Sequence, residues 1–490
     1  MSMTKKADVV IIGGGITGAA VLYELAKYKL RIILVEQEPD LATGTTKANS
    51  AILHAGYDAL PGSLKAQMNV AGNALYHKLK EELHLEIKWT GSLVVATNDE
   101  QLKILYDLKR RGERNGVPSL DIWDGNAVHQ SQPNLSSEVQ GALWAPTAGI
   151  CWPFDLCLAF AENAVLNGAE IIRECRVTGF DVDSGTIRMV HTNKGNIETT
   201  CVVNAAGVHA DDISSLAGDD TFRIFPRKGE YILFDQKVQN ALVSIPVFPT
   251  PDKMGKGIMV APTIHGNVFI GPNAQNMDDK DNTAFTNEGM NEIIEKAQTI
   301  VPCIPLTQAI TEFAGIRAVS DTNDFILGPS LKVNGLFHAA GIQSPGLTAA
   351  PAIAQFLVKK IIDKLKPEYN TTWKAGRPRH IYFKNLDYDE QQNLIKENPS
   401  FGRVICRCET VTEGEIIDAI HRPVGARTVD GVKRRTRAGM GRCQGGFCGL
   451  RIIQILSREL HIPIPEVRKE MCHSYMYFEK KSTKKVICDD

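Results

Sequence analysis

The sequence predicts a protein of mixed α/β and α+β class, in which a parallel-sheet domain is interleaved with an antiparallel-sheet domain and followed by a small third domain. Three observations predict this class. A strand, a glycine-rich turn, a helix and a second strand fill residues 7–36, and apolar and polar positions alternate between turn residues over 222–272. Four of the eleven cysteines fall in two tight pairs beyond residue 400.

The bulk composition is that of an ordinary globular protein, with 43% hydrophobic and 23% charged residues and a formal net charge of −1. This charge gives no global reason to expect nucleic acid or an acidic membrane as a partner. The N-terminal apolar stretch is interrupted by glycines at 13–15, unlike a signal peptide, and no run of about 18 apolar residues predicts a transmembrane helix. We expect a cytoplasmic protein, at most peripheral to the inner face of the membrane through a partner.

The glycine-rich turn has the spacing Gly13-x-Gly15-x-x-Gly18, directly after the first strand and at the start of the helix. These glycines allow a tight turn, close approach of a pyrophosphate and close packing of helix on strand. The pyrophosphate then lies at the positive end of the helix. Glu36 ends the second strand, where a carboxylate can accept hydrogen bonds from ribose hydroxyls. The segment therefore predicts a Rossmann-like dinucleotide-binding unit.

Two further glycine-containing strand ends favour FAD over NAD as the dinucleotide. The apolar strand 201–203 ends in Asn204–Gly207, and Gly341–Thr348 lies at a third strand-to-helix junction. Small residues at a strand end let the chain pass close to a flat ligand. The helix that begins at Gly346 can direct its N-terminus at the negative side of a reduced flavin. Three strand ends converging on one ligand suit the elongated FAD molecule.

The remaining elements are predicted from hydrophobic periodicity and turn residues. They are the strand 7–12, the helix 16–28, the strand 30–35, a hairpin over 185–203, antiparallel strands over 222–272, a helix near 287–300, strands at 310–319 and 336–339, and a helix from 346 to about 363. Residues 366–400 are rich in Pro, Lys, Asn and Asp, which predicts a linker.

The paired cysteines form the set Cys406-x-Cys408 and Cys443-x₄-Cys448, separated by 34 residues. Structural zinc sites usually use C-x₂₋₄-C loops, so a C-x-C pair with a C-x₄-C pair suits a [2Fe–2S] cluster better. The glycine-dense loop 439–449 can present backbone N–H groups to sulfur. A zinc-stabilised or metal-free small domain is the alternative.

Five basic side chains surround the second cysteine pair in the sequence. They either offset the negative charge of a thiolate-ligated cluster or form a docking face for a redox partner. These residues are Lys433, Arg434, Arg435, Arg437 and Arg442.

With these motifs the sequence resembles the FAD-dependent glycerol-3-phosphate dehydrogenases and oxidases, within the D-amino-acid-oxidase-like flavoproteins, over roughly residues 5–365. The segments that carry the resemblance are the turn 13–18 with Glu36, Thr45–Gly56, Asn204–Gly207, Gly255–Gly257, Gly315–Arg317 and Ser344–Gly346.

The part beyond residue 400 resembles the bacterioferritin-associated-ferredoxin-like [2Fe–2S] module. This module ends the anaerobic type of glycerol-3-phosphate dehydrogenase and related amino-acid and opine dehydrogenases. Elsewhere in that family the second pair can be C-x₂-C, and the longer spacing between Cys443 and Cys448 departs from it.

The resemblance implies a division of the chain. It comprises an FAD-dependent oxidoreductase over 1–365 (FAD-binding parts about 1–80, 150–215 and 325–365; substrate-binding parts about 81–149 and 216–324), a linker over 366–400, a [2Fe–2S]-binding domain over 401–460 and a C-terminal tail over 461–490.

The resemblance also implies roles for single residues. His54 is expected to lie near the flavin and act as the base, since an imidazole titrates in the useful range. The residues expected to bind the substrate are Ser50, Lys256, Arg317 and Ser344. The residues expected to bind FAD are Gly13, Gly15, Ile16, Thr17, Gly18, Glu36, Thr45, Thr46, Val177, Ala206, Gly207, Gly341, Gly346, Leu347 and Thr348. The cluster ligands are Cys406, Cys408, Cys443 and Cys448.

The expected reaction is oxidation of sn-glycerol 3-phosphate to dihydroxyacetone phosphate, with electrons passed through the cluster to a second flavoprotein or a quinone-linked subunit. Two rivals stay open. Arg317 and Lys256 would also bind the carboxylate of a 2-hydroxy acid such as L-2-hydroxyglutarate, or of an amino acid. A subunit that only relays electrons is the other rival, although a relay needs no base such as His54.

Overall fold

The computed structural model describes residues 4–251 and 257–477, and only the backbone of 239–241. The chain forms two compact units. The first takes the chain up to Gln37 and from Leu41 to Arg379, and the second takes the tripeptide Glu38–Asp40 and the chain from His380 onward. The second unit is therefore built from two separate stretches of sequence.

The described residues form strands and helices with the following bounds. The strands are β1 (Lys5–Lys6), β2 (Val9–Ile12), β3 (Ile32–Val35), β4 (Ile52–Leu53), β5 (Ile87–Lys88), β6 (Ser92–Ala96), β7 (Asp121–Asp124), β8 (Gly141–Ala145), β9 (Gly149–Cys151), β10 (Glu170–Ile172), β11 (Val177–Asp183), β12 (Thr186–Thr192), β13 (Ile197–Glu198), β14 (Val202–Asn204), β15 (Ile224–Phe234), β16 (Val247–Pro249), β17 (Met259–Pro262), β18 (Val268–Gly271), β19 (Gln275–Asn276), β20 (Ala309–Ser320), β21 (Ile326–Pro329), β22 (Leu336–Ala340), β23 (Val404–Cys406) and β24 (Val411–Thr412). The α-helices are α1 (Ile16–Leu25), α2 (Leu64–Leu83), α3 (Asp99–Arg114), α4 (Gly125–Ser131), α5 (Pro153–Leu166), α6 (Ala210–Leu216), α7 (Asn287–Ile300), α8 (Gly346–Leu365), α9 (Tyr388–Glu397), α10 (Glu413–His421), α11 (Val429–Thr436) and α12 (Gly449–Leu460). Short 3-10 helices span Gly207–His209, Gln236–Ala241, Leu306–Gln308, Phe383–Asn385, Pro399–Gly402 and Ile464–Glu466.

The nucleotide-binding part of the first unit is a six-stranded sheet in the order β10-β3-β2-β14-β22-β21. All its neighbouring strands are parallel except β21, which runs antiparallel to β22. β2 and β3 are uninterrupted apolar runs whose residues are all buried, as expected for parallel strands covered on both faces. This confirms the predicted doubly covered parallel sheet, and the helix predicted to start at Gly346 is found there as α8.

The second sheet of this unit is nine-stranded, in the order β19-β15-β18-β17-β16-β6-β8-β7, with β20 paired to β15. All its strand pairs are antiparallel except β16 with β6. The longest pair is β15 with β20, in which Tyr231 lies opposite Phe313 and Arg227 lies opposite Arg317. The antiparallel sheet predicted over 222–272 is thus confirmed.

Of three smaller sheets, two belong to the first unit and one belongs to the second unit. A four-stranded sheet has the order β1-β13-β12-β11, a three-stranded sheet the order β4-β9-β5, and β23 pairs with β24 in the second unit. The hairpin predicted over 185–203 is found as β12 with β13, which leads into β14. Within the described ranges no helix has both the length and the apolar composition needed to cross a membrane.

The second unit packs three helices, α10 to α12, around a core that includes Ile416, Val432, Ile453 and Leu456. α10 begins with a capping box, in which Thr412 accepts from the N–H of Glu415 and the Glu415 carboxylate accepts from the N–H of Thr412. A further helix, α9, lies inside the stretch that composition predicted as a linker.

Candidate functional site

The glycine-rich turn after β2 has the backbone geometry that its sequence predicts. Gly13 has φ +106°, a conformation that favours glycine. A Cβ atom on Gly13 would lie 2.4 Å from the carbonyl oxygen of Ala205, and one on Gly18 would lie 2.0 Å from the carbonyl oxygen of Gly13. Gly15 caps α1, whose first residue is Ile16. The turn therefore allows the backbones of β2, α1 and the end of β14 to pack closely together.

A carboxylate and a hydroxyl face this turn. Glu36 is buried at the end of β3, and its carboxylate accepts a hydrogen bond from the N–H of Gly14 at 2.6 Å. The hydroxyl of Thr46 accepts from the N–H of Ile16 at 3.0 Å. A carboxylate at the second strand end, beside a helix N-terminus, is the set that a dinucleotide requires. These residues fit FAD.

The other predicted FAD residues lie at strand or helix ends of the first unit. They are Thr17 in α1, Thr45 before β4, Val177 at the start of β11, Ala206 and Gly207 after β14, Gly341 after β22, and Gly346, Leu347 and Thr348 at the start of α8. Val177 is buried in a core that includes Val35. The contact of each residue with FAD stays a prediction.

His54 follows β4 and is 9% exposed. Its backbone N–H donates to the hydroxyl of Thr348 at 2.9 Å, and its backbone carbonyl oxygen accepts from two asparagine side-chain amides of α2. Its Nε2 lies 3.4 Å from the hydroxyl of Ser344, and its ring centroid lies 6.0 Å from that of Phe248. The structure thus brings together two residues predicted from distant segments, His54 and Ser344, and holds the backbone of His54 in place.

Arg317 lies on β20, directly opposite Arg227 on β15, so the two side chains share one face of the sheet. The Nη2 atom of Arg317 donates to the carbonyl oxygen of Asn273 at 2.9 Å, and its guanidinium lies close enough to the hydroxyl of Tyr231 to lower the pKa of that phenol against the raising effect of burial. A Cβ atom on Gly229 would lie 2.6 Å from this Nη2 atom. Burial lowers the pKa of Arg227, and the charge of Arg317 lowers it further. Two neighbouring guanidinium groups make this face suited to an anion.

The loop before β4 is attached to the strand that carries Arg317. The hydroxyl of Thr45 donates to the carbonyl oxygen of Ile316 at 2.6 Å, and a Cβ atom on Gly315 would lie 2.0 Å from the carbonyl oxygen of Ala48. Ser50 is half-buried in the same loop. The contacts join the predicted FAD-binding loop to the predicted anion-binding strand.

Sequence reasoning missed three residues of this region and named one that cannot be placed. Tyr231, Asn273 and Gly229 contact Arg317 only because of the register of β15 and the turn after β18, for which no local motif exists. Lys256, predicted to bind the substrate, lies outside the described residues, as does position 255 of the same matched segment.

The four cysteines of the second unit form two pairs. The Sγ atoms of Cys408 and Cys443 lie 3.6 Å apart, and the thiols of Cys406 and Cys448 hydrogen-bond each other. In the described part of the chain, no three His, Cys, Asp or Glu side chains gather where a single metal ion could be held. A zinc ion needs about four ligands around one point, whereas each iron of a [2Fe–2S] cluster takes two cysteine sulfurs. The two pairs of cysteine sulfurs fit the two irons of such a cluster.

Backbone N–H groups point at these sulfurs, as the glycine-dense loop predicted. Those of Phe447 and Gly445 donate to the sulfur of Cys443 and lower the pKa of its thiol. The N–H of Gly439 donates to Cys406. Because hydrogen bonds to sulfur favour the thiolate, they prepare these cysteines to ligate iron.

Three of the basic residues near the second cysteine pair are buried and ion-paired. Arg434 and Arg435 bind the fully buried carboxylate of Asp40, at 3.1 Å and 2.7 Å, and Nε of Arg437 donates to Glu409 at 2.8 Å. The prediction that these three residues form a docking face is therefore wrong, because they are buried and their charges are neutralised by carboxylates of the second unit.

The other two basic residues differ in exposure. Lys433 is half-buried, and burial lowers its pKa. Arg442 is exposed, so it alone among the five lies fully at the surface.

Comparison with known proteins identifies two matching families. A family model described as FAD dependent oxidoreductase matches residues 8–360, and one described as BFD-like [2Fe-2S] binding domain matches residues 404–458. Glycerol 3-phosphate dehydrogenase of Caloramator mitchellensis is 46% identical over 96% of this chain and 98% of its own length. One subunit of the anaerobic glycerol-3-phosphate dehydrogenase of Escherichia coli is 24% identical over 93% of this chain and 89% of its own length. The structure of L-alpha-glycerophosphate oxidase from Mycoplasma pneumoniae with FAD bound is 30% identical, with a TM-score of 0.73 over 77% of this chain and 100% of that chain.

Proposed function

Because the chain belongs to the FAD-dependent oxidoreductase family and carries a BFD-like [2Fe–2S] domain, we propose that it oxidises sn-glycerol 3-phosphate to dihydroxyacetone phosphate and passes the electrons to a partner protein. One observation carries this proposal. The similarity to a glycerol 3-phosphate dehydrogenase at 46% identity extends over 96% of the chain and therefore through both units.

When bound, FAD would supply a hydride acceptor and a [2Fe–2S] cluster would supply single-electron transfer. The turn after β2, with Glu36 and the N-terminus of α1, would hold the dinucleotide. Cys406 with Cys448, and Cys408 with Cys443, would each hold one iron.

His54 is the proposed base. Loss of a hydride from a secondary alcohol carbon leaves a carbonyl only if the hydroxyl proton is removed as well, and the Nε2 atom of His54 takes that proton. Support comes from its burial and from its backbone bond to Thr348, which together limit the movement of the ring. The hydroxyl of Ser344, at 3.4 Å from Nε2, is placed to orient either the ring or the substrate hydroxyl.

Arg317 is the proposed anchor of the phosphate group. Its guanidinium has several donors in a fixed plane, which matches phosphate oxygens. The neighbouring Arg227 adds a second positive charge on the same face of the sheet, which favours a doubly charged phosphate. Ser50 and Lys256 remain proposed substrate-binding residues on the resemblance alone.

Two other functions compete with this one. A 2-hydroxy acid or amino acid would place its carboxylate on Arg317, and the residue types do not distinguish the two anions. An electron-relay subunit would have no use for His54. The proposed partner is a second flavoprotein or a quinone-linked subunit, supported by the relative from Escherichia coli, which is itself named as part of a larger enzyme.

The test is an anaerobic visible spectrum of the purified holoenzyme, recorded before and after addition of sn-glycerol 3-phosphate. Bleaching of the flavin band followed by partial loss of the iron–sulfur absorbance is expected. Bleaching by L-2-hydroxyglutarate or an amino acid instead would overturn the substrate, and no bleaching by any of them would favour the relay.

The His54→Gln variant tests the base. We expect the rate of flavin reduction by sn-glycerol 3-phosphate to fall by about 10²- to 10⁴-fold, the usual contribution of a general base. A matched control is His129→Gln on α4, in which another partly buried histidine is changed. A wild-type rate in His54→Gln would contradict the assignment, provided that the variant retains FAD.

A further inference from the structure

The second unit exposes its cysteine pairs unequally. Cys406 and Cys448 are buried, whereas Cys443 is partly exposed and Cys408 is exposed. The side chain of Phe447, whose N–H donates to the sulfur of Cys443, is 83% exposed. An apolar ring left in water directly beside the accessible pair of cluster ligands is a feature that packing inside the unit does not explain.

Two more exposed side chains extend this surface. Leu450 is 52% exposed and Arg451 is exposed, three and four residues after Phe447 at the start of α12. Cys448 is the N-cap of this helix, so both residues lie in its first turn, directly after the last cluster ligand in the sequence. Arg407, between the first two cysteine ligands, is also exposed. We call Arg407, Phe447, Leu450 and Arg451 the cluster face.

The two segments that carry the cluster face and the cluster ligands contain mostly positive charge. Within residues 403–411 and 439–451 the sole carboxylate is Glu409, which is 4% exposed and bound by Arg437. The exposed charged side chains of these two segments are Arg403, Arg407, Arg442 and Arg451, and Arg403 is paired with Glu413. Exposed aromatic and arginine side chains in neighbouring segments are the residue types enriched in protein–protein interfaces.

We propose that the cluster face is the docking surface for an acidic electron-accepting protein. This inference rests on the proposed function, in which electrons leave the enzyme through the cluster. The exposed ligands coincide with the apolar and positive residues, so the occupant must accept electrons as well as bind. A lipid surface would satisfy the charge but accepts no electron. Each encounter transfers one electron from the reduced enzyme to the oxidised centre of the acceptor, and two encounters restore the enzyme after each substrate oxidised.

Two haem proteins of opposite charge serve as probes: the soluble domain of cytochrome b5, which is acidic, and cytochrome c, which is basic. The holoenzyme is reduced with dithionite rather than with substrate, so that the result does not depend on the substrate assignment. Stopped-flow absorbance then gives the bimolecular rate of reduction of each probe at several salt concentrations. We expect the rate with cytochrome b5 to fall by about tenfold or more as salt screens the attraction, and the rate with cytochrome c to rise or stay level.

Variants of the cluster face localise the effect. Arg451→Glu is expected to lower the rate with cytochrome b5 at low salt by about tenfold and to flatten its salt dependence. Leu450→Ser is expected to lower the rate without changing that dependence. The matched control, Arg114→Glu at the exposed end of α3 in the first unit, makes the same change of charge and should leave the rate unchanged.

Flavin reduction by substrate, and the visible spectrum of the cluster, report separately on the proposed function and on folding. Two results would overturn the docking proposal. One is that Arg451→Glu and Arg114→Glu lower the rate of cytochrome b5 reduction equally, or that neither variant lowers it. The other is co-sedimentation of the wild-type enzyme with phosphatidylglycerol vesicles that Arg451→Glu abolishes, with no effect of that variant on cytochrome b5, because the face would then be a membrane-binding surface.

Discussion

The guanidinium of Arg317 is positioned by residues that do not themselves reach an anion. The carbonyl oxygen of Asn273 accepts its hydrogen bond, the hydroxyl of Tyr231 lies beside it, and the missing side chain of Gly229 leaves room for Nη2. Burial raises the pKa of Tyr231 while the nearby Arg317 acts in the opposite sense, so the phenol stays neutral at physiological pH and only orients the cation. Tyr231 is therefore a positioning residue.

The Tyr231→Phe variant removes the hydroxyl that interacts with Arg317 and little else. A polar interaction with a charged group contributes about 1.5 kcal/mol, so we expect KM for sn-glycerol 3-phosphate to rise by roughly tenfold. The kcat value should change far less, because the hydride and proton transfers do not involve Tyr231. Steady-state kinetics with an artificial acceptor measure both parameters. Tyr106→Phe, an exposed tyrosine of α3, is the control; equal KM values in the two variants would refute the positioning role.

At the scale of single residues, the sequence predicted site roles only for residues that belong to local motifs or to segments matched to a family. Glu36 and the four cysteines follow from spacing alone, and His54 follows from a family segment. The contacts of Tyr231 and the bond between His54 and Thr348 were not predicted, because each joins residues far apart in the chain. The docking role of Arg434, Arg435 and Arg437 failed for the same reason, since their partners are set by the tertiary fold.

Among the elements, the turn between β2 and α1 leaves no room for additional side-chain atoms at Gly13 or Gly18. A Cβ atom on Gly18 would lie 2.0 Å from the backbone of Gly13, so the Gly18→Ala variant has to move α1 away from β2. We expect this variant to purify with much less FAD than the wild type, measured as the ratio of flavin absorbance to protein. Gly44→Ala is the matched control, since a Cβ atom there has no neighbour within 4 Å. Full FAD content in Gly18→Ala would show that the close packing is not required.

Element prediction succeeded where periodicity was strong and failed where it was weak. The helix predicted near 287–300 is found at Asn287–Ile300, whereas α9 was missed within the predicted linker. No residue of α9 is buried, so it has no apolar stripe to reveal it. Its capping box, formed by Asp387 and Glu390, was the available sequence signal.

At the scale of the whole molecule, the second unit depends on a carboxylate from the N-terminal part of the sequence. Asp40 is fully buried and accepts three hydrogen bonds, two from Arg435 and one from Arg434. Arg435 also donates to the carbonyl oxygens of Val424 and Gly431. No sequence pattern predicted that the tripeptide Glu38–Asp40 would belong to this unit, because the interaction spans most of the chain.

The Asp40→Asn variant keeps the shape of the side chain and removes its charge. Breaking a buried ion pair on one side costs about 3–5 kcal/mol, so we expect the second unit to unfold at a clearly lower temperature. Loss of the iron–sulfur absorbance on heating measures this, and the flavin absorbance follows the first unit separately. Glu397→Gln, at an exposed position of α9, is the control. An unchanged melting temperature would mean that the arginines find other partners.

The discontinuous second unit also has a consequence for biosynthesis. On the ribosome, Asp40 is synthesised more than three hundred residues before the arginines of α11. Its ion pairs in the second unit can therefore form only after almost the whole chain has been made. At about 5–20 residues per second, this delay lasts tens of seconds, long enough for the N-terminal unit to fold first. A gene fragment that starts at His380 would encode the cluster ligands without the carboxylate that neutralises their supporting helix. The module therefore cannot be moved to another protein as one continuous segment without losing part of its own interior.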